Sequence, residues 1–208
     1  MNSSVSKASD VWKRIKPFAM PDLVSLLPST KSGGSTSEGY AIMVYDQSAK
    51  KIKQYSMTSD GLSAAIAAAG SGDIIYLLAG TIGSNHTIPD GVSLVGMDRK
   101  RCVLTGQITV GDSSLLAEVS VTRSGTGELK GVVMTGTYSR VADCLISVTS
   151  SDDDAYGVYA SGGAVGYVDG CEIEATGDGD GYAHYASGAT LTVRDGSAEG
   201  STAPIGDD

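Results

Sequence analysis

Two stretches near the end of the sequence almost repeat each other: VYASGGAVGYVDG at Val158–Gly170 and HYASGATLTVRDG at His184–Gly196. Moving back by the same 26 residues brings VVMTG at 132–136 onto VYASG at 158–162. Thr135, Ser161 and Ser187 then align, as do Gly136, Gly162 and Gly188, and Val141, Tyr167 and Val193. Asp143, Asp169 and Asp195 form a further column, expected to bond backbone amides in turns. Cys144 and Cys171 fall one residue out of phase, which points to a small insertion in a turn.

A period of this length marks stacked units. Helical repeats would need a 3.6-residue apolar rhythm, and the region has instead short β-branched runs broken by Gly and Asp. Each period is therefore one coil of short strands, with the next coil about 4.8 Å above it in parallel pairing. The expected fold is all-β: a right-handed parallel β-helix of about five or six turns from residue 71 onward. Val133, Tyr159 and Tyr185 should stack in adjacent turns, and Gly162 and Gly188 should release the chain into corners.

Outward from the repeat, the chain changes character. Residues 58–70, TSDGLSAAIAAAG, read as a short helix capped by Ser59 or Asp60 and ended by Gly70. Leu62, Ala65, Ile66 and Ala69 share one face. Residues 39–57 alternate as a hairpin with its turn at DQSAKK. Residues 1–37 hold Trp12, Phe18, Leu23, Leu26 and Leu27 among prolines, too few to form a core alone. Three regions follow: an attachment and linker segment (1–37), a β-hairpin module (38–57) and the β-helix (58–208). The last residues, STAPIGDD, supply no apolar cap, so further chain or sister copies are expected to cover the final turn.

The charge is uneven. Residues 1–57 carry eight Lys/Arg against four Asp/Glu, and residues 58–208 carry seven against twenty. The acidic body excludes nucleic acid as a partner. No run reaches the length of a membrane span and no secretory signal opens the chain, so a protein without membrane insertion is expected. Cys102, Cys144 and Cys171 form no CxxC or Cys/His cluster and read as free buried thiols.

SDGLSAAIAAAGSGDIIYLLAGTI followed by HTIPDGVSLVG resembles the entry into the pectate-lyase-like superfamily of right-handed parallel β-helices. In that pattern a small helix plugs the first turn and the strand after Gly-Asp begins the stack. The resemblance covers residues 58–208. It implies a family of lyases, esterases, hydrolases and phage tail-spike or tail-fibre proteins. The hairpin GYAIMVYDQSAKKIKQY resembles modules that join phage tail fibres to their baseplates, which are commonly homotrimers. The resemblance implies a tail-fibre or tail-spike component, located in a virion tail or the extracellular space, that recognises a cell-surface polysaccharide. It would assemble as a homotrimer and meet other tail or baseplate proteins through residues 1–57. A polysaccharide lyase or hydrolase of the same fold is the alternative, and a bacterial surface adhesin a second.

The residues that could carry chemistry are few. TSSDDDAYG at 149–157 and TGDGDGY at 176–182 place Asp152 over Asp178 and Asp154 over Asp180, with Glu128 below. Hard oxygen ligands on adjacent turns suit Ca²⁺. The same carboxylates, Asp152, Asp154, Asp178 and Asp180, are the catalytic candidates if the protein cleaves glycans, and they also fit a solvated turn. No cofactor other than Ca²⁺ is implied. His184 aligns with Val158 in an apolar column and reads as a packed neutral imidazole. Tyrosines cluster in the same turns. Three residues separate Tyr156 from Tyr159 and Tyr182 from Tyr185, so strict alternation sends the two pairs to opposite faces. Tyr156 and Tyr182, beside the acidic turns, are the expected glycan-stacking pair.

Overall fold

A computed structural model describes residues 40–199, which belong to the compact unit Glu38–Asp208. The attachment segment expected at 1–37 and the terminal STAPIGDD lie outside the described residues.

The described chain opens with a hairpin, β1 (Tyr40–Asp46) and β2 (Lys51–Ser56), followed by helix α1 (Ser59–Ala68). Coiling then begins. The first turn runs through β3 (Ile74–Leu77), β4 (Gly80–Gly83) and β5 (His86–Ile88), and the second through β6 (Ser93–Gly96), β7 (Cys102–Thr105) and β8 (Ile108–Val110). The third comprises β9 (Leu115–Ala117), β10 (Ser120–Gly125) and β11 (Leu129–Met134); the fourth, β12 (Thr137–Ala142), β13 (Leu145–Ser150) and β14 (Ala155–Ser161). The fifth comprises β15 (Val165–Asp169), β16 (Glu172–Thr176) and β17 (Gly181–Ser187), and β18 (Thr190–Arg194) and β19 (Ser197–Glu199) begin a sixth. Between turns of the coil, first strands pair with first strands, second with second and third with third, always in parallel, giving three sheets. We call them sheets A, B and C in that order. This is the parallel β-helix expected from the period.

Period-2 alternation supplies the core. In sheet A, Val44, Ile75, Leu94, Leu116, Val141 and Val168 stack in register, each buried. In sheet B, Ile82, Leu104, Val121, Ile146 and Ile173 do the same. In sheet C the column is Ile88, Val110, Met134, Ala160 and Ala186. A second small apolar cluster, Ile74, Val95, Ala117 and Ala142 with Tyr76 and Leu115, lies on the other face of sheet A.

The N-terminal end of the coil is closed by its own residues. The hairpin turn is tied by Asp46, whose Oδ1 accepts from the Ala49 amide at 2.8 Å and the Ser48 hydroxyl at 2.7 Å. These bonds hold the Asp46 carboxyl below its ordinary pKa. β1 pairs antiparallel with β3, so the hairpin extends sheet A by two strands. Helix α1 turns Leu62 and Ala65 into the main core, with Ile66 and Ala69 partly buried against it. Its cap is Thr58, one residue before the expected Ser59 or Asp60. Thr58 is extended (φ −133°), and its Oγ1 accepts from the Gly61 amide at 3.0 Å. The helix closes at Ala69 rather than Gly70, because the Gly70 amide is taken by Asp73 Oδ2 at 2.8 Å. Asp73 Oδ1 also accepts from the Gln47 amide at 3.0 Å, so one buried carboxylate links hairpin, helix and first strand.

Two expected columns shift by one residue. Val141 pairs with Val168, which pairs with Val193, while Tyr167 lies beside Arg140 and Thr192. Asp169 pairs with Ala142 and Arg194 and forms an ion pair with Arg140 at 2.8 Å. The corner position is instead occupied by Glu118, Asp143, Gly170 and Asp195, all left-handed with φ of 55°, 53°, 63° and 49°. The cause is the longer corner after Ala160, where Gly162 and Gly163 both take positive φ. A bulge at Tyr138 removes part of the offset. The three cysteines are free and buried, as expected.

Candidate functional site

The tyrosines of the fourth and fifth turns stand on the outer face of sheet C. In-register pairing of β11, β14 and β17 sets two columns: Lys130, Tyr156 and Tyr182, then Val133, Tyr159 and Tyr185. The second column is the stack expected from the sequence. The rings make one cluster. Tyr156 stacks on Tyr182 with centroids 5.2 Å apart, and Tyr159 stacks on Tyr185 at 5.4 Å. Edge contacts join the columns, Tyr156 to Tyr159 at 5.3 Å and Tyr156 to Tyr185 at 5.1 Å.

The pairs therefore do not face opposite ways. Ala155 and Val158 are both core residues, and Gly157 between them also points inward, since a Cβ there would strike the Ile173 side chain. Two consecutive inward positions break the alternation, and both tyrosines emerge on the outside. Gly131 repeats this one turn below: its added Cβ would lie 2.7 Å from Val148 Cγ2. The step needs a residue without a side chain in those turns, and Ala183 fills it in the fifth. Tyr156, central to the cluster, is only 6% exposed, whereas Tyr159, Tyr182 and Tyr185 are half-buried.

Each turn pairs an acid with the donor two residues later. Glu128 meets Lys130 at 2.6 Å, the Tyr156 hydroxyl donates to Asp154 Oδ2 at 3.0 Å, and the Tyr182 hydroxyl donates to Asp180 Oδ2 at 2.8 Å. Burial and then the bond to Asp154 push the Tyr156 phenol far above its ordinary pKa. The bond to Asp180 is the main reason Tyr182 is pushed up to about 12. Both phenols are neutral donors across the physiological range. Lys130 Nζ also lies 4.0 Å from the Tyr159 ring centroid and 5.7 Å from that of Tyr156. An ammonium over an exposed ring contributes about 0.5–1 kcal/mol.

Four of the five carboxylates singled out from sequence have separate engagements. Asp154 Oδ1 accepts from the Asp180 amide at 2.8 Å, and Asp152 Oδ1 from the Gly127 amide at 2.5 Å. Glu128 and Asp180 serve the donors already named, and Asp178 is exposed in the loop before β17. Among the described residues, no three or more His, Cys, Asp or Glu side chains gather as a metal-binding group. The bonds to Asp152 and Asp154 instead fasten each acidic loop to the turn next to it.

His184 continues the inward column of His86, Ile108, Val132 and Val158. Burial lowers its pKa, and its Nε2 has no partner. This is the packed neutral imidazole expected from the column. His86, at the other end, has its Nε2 3.1 Å from the Gly83 carbonyl oxygen.

No family model matches the chain, and no curated protein matches it. Among solved structures, ORF18 of Geobacillus virus E2 is similar at 14% identity with a TM-score of 0.40, over 66% of this chain. The match spans 37% of that protein's length.

Sequence reasoning missed Lys130 and placed Tyr159 and Tyr185 inside. The signal was present as a spaced motif, acid-x-donor, in Glu128-x-Lys130, Asp154-x-Tyr156 and Asp180-x-Tyr182. It also missed the outer face of sheet B. There Ser120, Thr122, Ser147, Glu172 and Glu174 line a shallow depression of about 330 Å³.

Proposed function

We propose that this chain is a structural, host-surface-binding component of a phage tail fibre or spike, and that the outer face of sheet C binds a cell-surface glycan. The observation that carries the reading is the outward cluster of four tyrosine rings bordered by Glu128, Asp154 and Asp180. Ring faces cover the C–H faces of pyranoses, and adjacent carboxylates accept from sugar hydroxyls. The stiff coil holds both kinds of group in fixed register across turns. The half-buried Tyr182 and Tyr185 offer contact surface, while Tyr156 supports them from beneath.

The rest of the reading follows the layout of the chain. The hairpin and the segment before it are the attachment end, contacting other tail or baseplate proteins through residues 1–57, and the working assembly is a homotrimer in a virion tail. Light scattering on the full chain should report three copies; a monomer at micromolar concentration defeats the trimer.

A panel of capsular and cell-wall glycans tests the site. Binding by the intact protein should fall roughly tenfold, about 1.4 kcal/mol, in Tyr182→Ala. A variant that binds every retained glycan as wild type does would remove the tyrosine face from the account. Prolonged incubation should release neither reducing ends nor unsaturated sugars. Their accumulation with time, abolished in the Asp154→Asn/Asp180→Asn double variant, would make the protein an enzyme.

A further inference from the structure

We infer that the glycan recognised by this face carries free amino groups: a hexosamine polymer with protonated amines, rather than a neutral or acidic polysaccharide. The inference rests on the glycan-binding reading above and adds the chemical class of the ligand.

The first argument counts donors and acceptors. Carboxylates accept only, so Asp154 and Asp180 offer lone pairs. The phenol protons of Tyr156 and Tyr182 are already donated to these two residues, which leaves their oxygens as acceptors. The neighbouring cations are also engaged. Lys130 is held by Glu128 at 2.6 Å, and Arg123 donates to the Lys130 carbonyl at 2.8 Å and to Gln107 at 3.1 Å. Beside the Tyr159 and Tyr185 hydroxyls, which can donate or accept, an incoming ligand thus meets ring faces and carboxylate and phenol acceptors. An ammonium donates three bonds and accepts none, and so complements this surface. The carboxylate of a uronate accepts only, and finds its like.

The second argument is an arrangement the protein itself displays. At the lower end of the cluster the Lys130 ammonium sits against the Tyr159 ring at 4.0 Å with Glu128 at its side. The upper end repeats the components, with the rings of Tyr182 and Tyr185 and the carboxylate of Asp180. The register places Tyr182 where Lys130 stands two turns below, so the upper turn supplies the ring and the acid without supplying the cation. A ligand amine completes there what Lys130 completes below.

The third is the surrounding field. Residues 150–199 contain ten Asp/Glu and a single Arg or Lys, Arg194. Such an imbalance attracts cationic chains and repels anionic ones before contact.

The test is calorimetric titration of the full chain, in mildly acidic buffer at moderate salt, with four hexamers: glucosamine, N-acetylglucosamine, galacturonate and lysine. The glucosamine hexamer should bind at least roughly tenfold more tightly than its N-acetylated counterpart, and the galacturonate hexamer most weakly. Tyr185→Phe should keep this affinity and Tyr185→Ala should lose roughly tenfold, with net charge equal in all three proteins. Thermal melts verify that both variants are folded, and Asp180→Asn provides a second loss that leaves every ring in place. Equal affinity for the two sugar hexamers would overturn the amine assignment and leave the glycan reading standing. A Tyr185→Ala protein that binds the glucosamine hexamer like wild type would overturn it too, because the attraction would then be bulk charge. Hexalysine bound as tightly, with the same dependence on Tyr185, would replace the sugar with a basic peptide. Absence of binding to any sugar hexamer, together with a silent glycan panel, would sink both readings.

Discussion

The early and late turns of the coil are built from different material. The largest fully buried side chains, among them Ile75, Leu77, Leu94, Leu104 and Leu116, all lie at or before Ile146. Beyond it the interior is filled by Val148, Val158, Val168, Cys171, Ile173 and Leu191 and by alanines at 155, 160, 164, 175, 183 and 186. The aromatic mass of the late turns stands outside, in the four tyrosines of sheet C. The early turns are thus held together by what they enclose. The late turns add an external ladder of rings and acid–donor pairs to a thinner interior. The difference explains how an outward aromatic face is compatible with a stable coil: the same rings that face solvent also fasten one turn to the next.

The contrast can be broken most directly from the early side. Leu94→Ala, in the fully buried column of sheet A, should cost about 2–5 kcal/mol in chemical denaturation. A loss under about 1 kcal/mol would mean that the early core can collapse around the gap, and the distinction between the halves would weaken. Next in size is Gly157→Ala. The added methyl meets the Ile173 side chain and, at 2.7 Å, the Ala183 carbonyl oxygen, and a backbone atom cannot step aside. About 1–3 kcal/mol is expected, with the tyrosine cluster disturbed as well. A neutral result would show that the two inward positions are not what turns Tyr156 outward.

Tyr159→Ala should cost about 1–2 kcal/mol, since the ring contacts Tyr156 and Tyr185 and carries Lys130. Unchanged stability would reduce the ladder to decoration and leave the thin interior alone in charge of the late turns.

The smallest effect concerns acid. Burial depresses the His184 pKa, so the folded chain holds this imidazole neutral. The unfolded chain binds the proton more readily. The resulting stabilisation is present above the unfolded value, about 6.5, and is lost as the pH falls through the folded one. Taking the solution from about pH 7.5 to pH 5 should lower the melting temperature of wild type more than that of His184→Val, which copies Val158 one turn below. Equal shifts would show that the ring escapes to solvent at the end of its column.

Much of this was legible in the sequence. The 26-residue offset between Tyr159 and Tyr185 gave the coil, its turn count and its ring stack, because parallel pairing in register forces equivalent positions into contact. The capping helix showed through Leu62 and Ala65. The orientation of Tyr156 did not, because alternation assumes that a strand never places two neighbours inward, and Gly157 with Val158 does so. The corner column was obscured for a related reason: Gly162 and Gly163 lengthen one corner, so a constant offset links Asp143 to Asp169 when the backbone links it to Gly170. The acids were visible as a cluster, and their phenol and ammonium partners stood two residues on, but the amide partners of Asp152 and Asp154 were hidden, since an amide on the adjacent turn leaves no mark in the local sequence.

The recurring left-handed corner at Glu118, Asp143, Gly170 and Asp195 has a consequence for how such a protein can change over generations. From the third turn onward, each circuit of the chain leaves sheet A through the same backbone gate. A duplicated segment that begins and ends at this gate would be read as one more storey, adding about 4.8 Å of height without altering the foundation or the roof. Length therefore becomes a quantity that evolves in whole steps, and a coil of this design can be made taller or shorter by copying what it already contains.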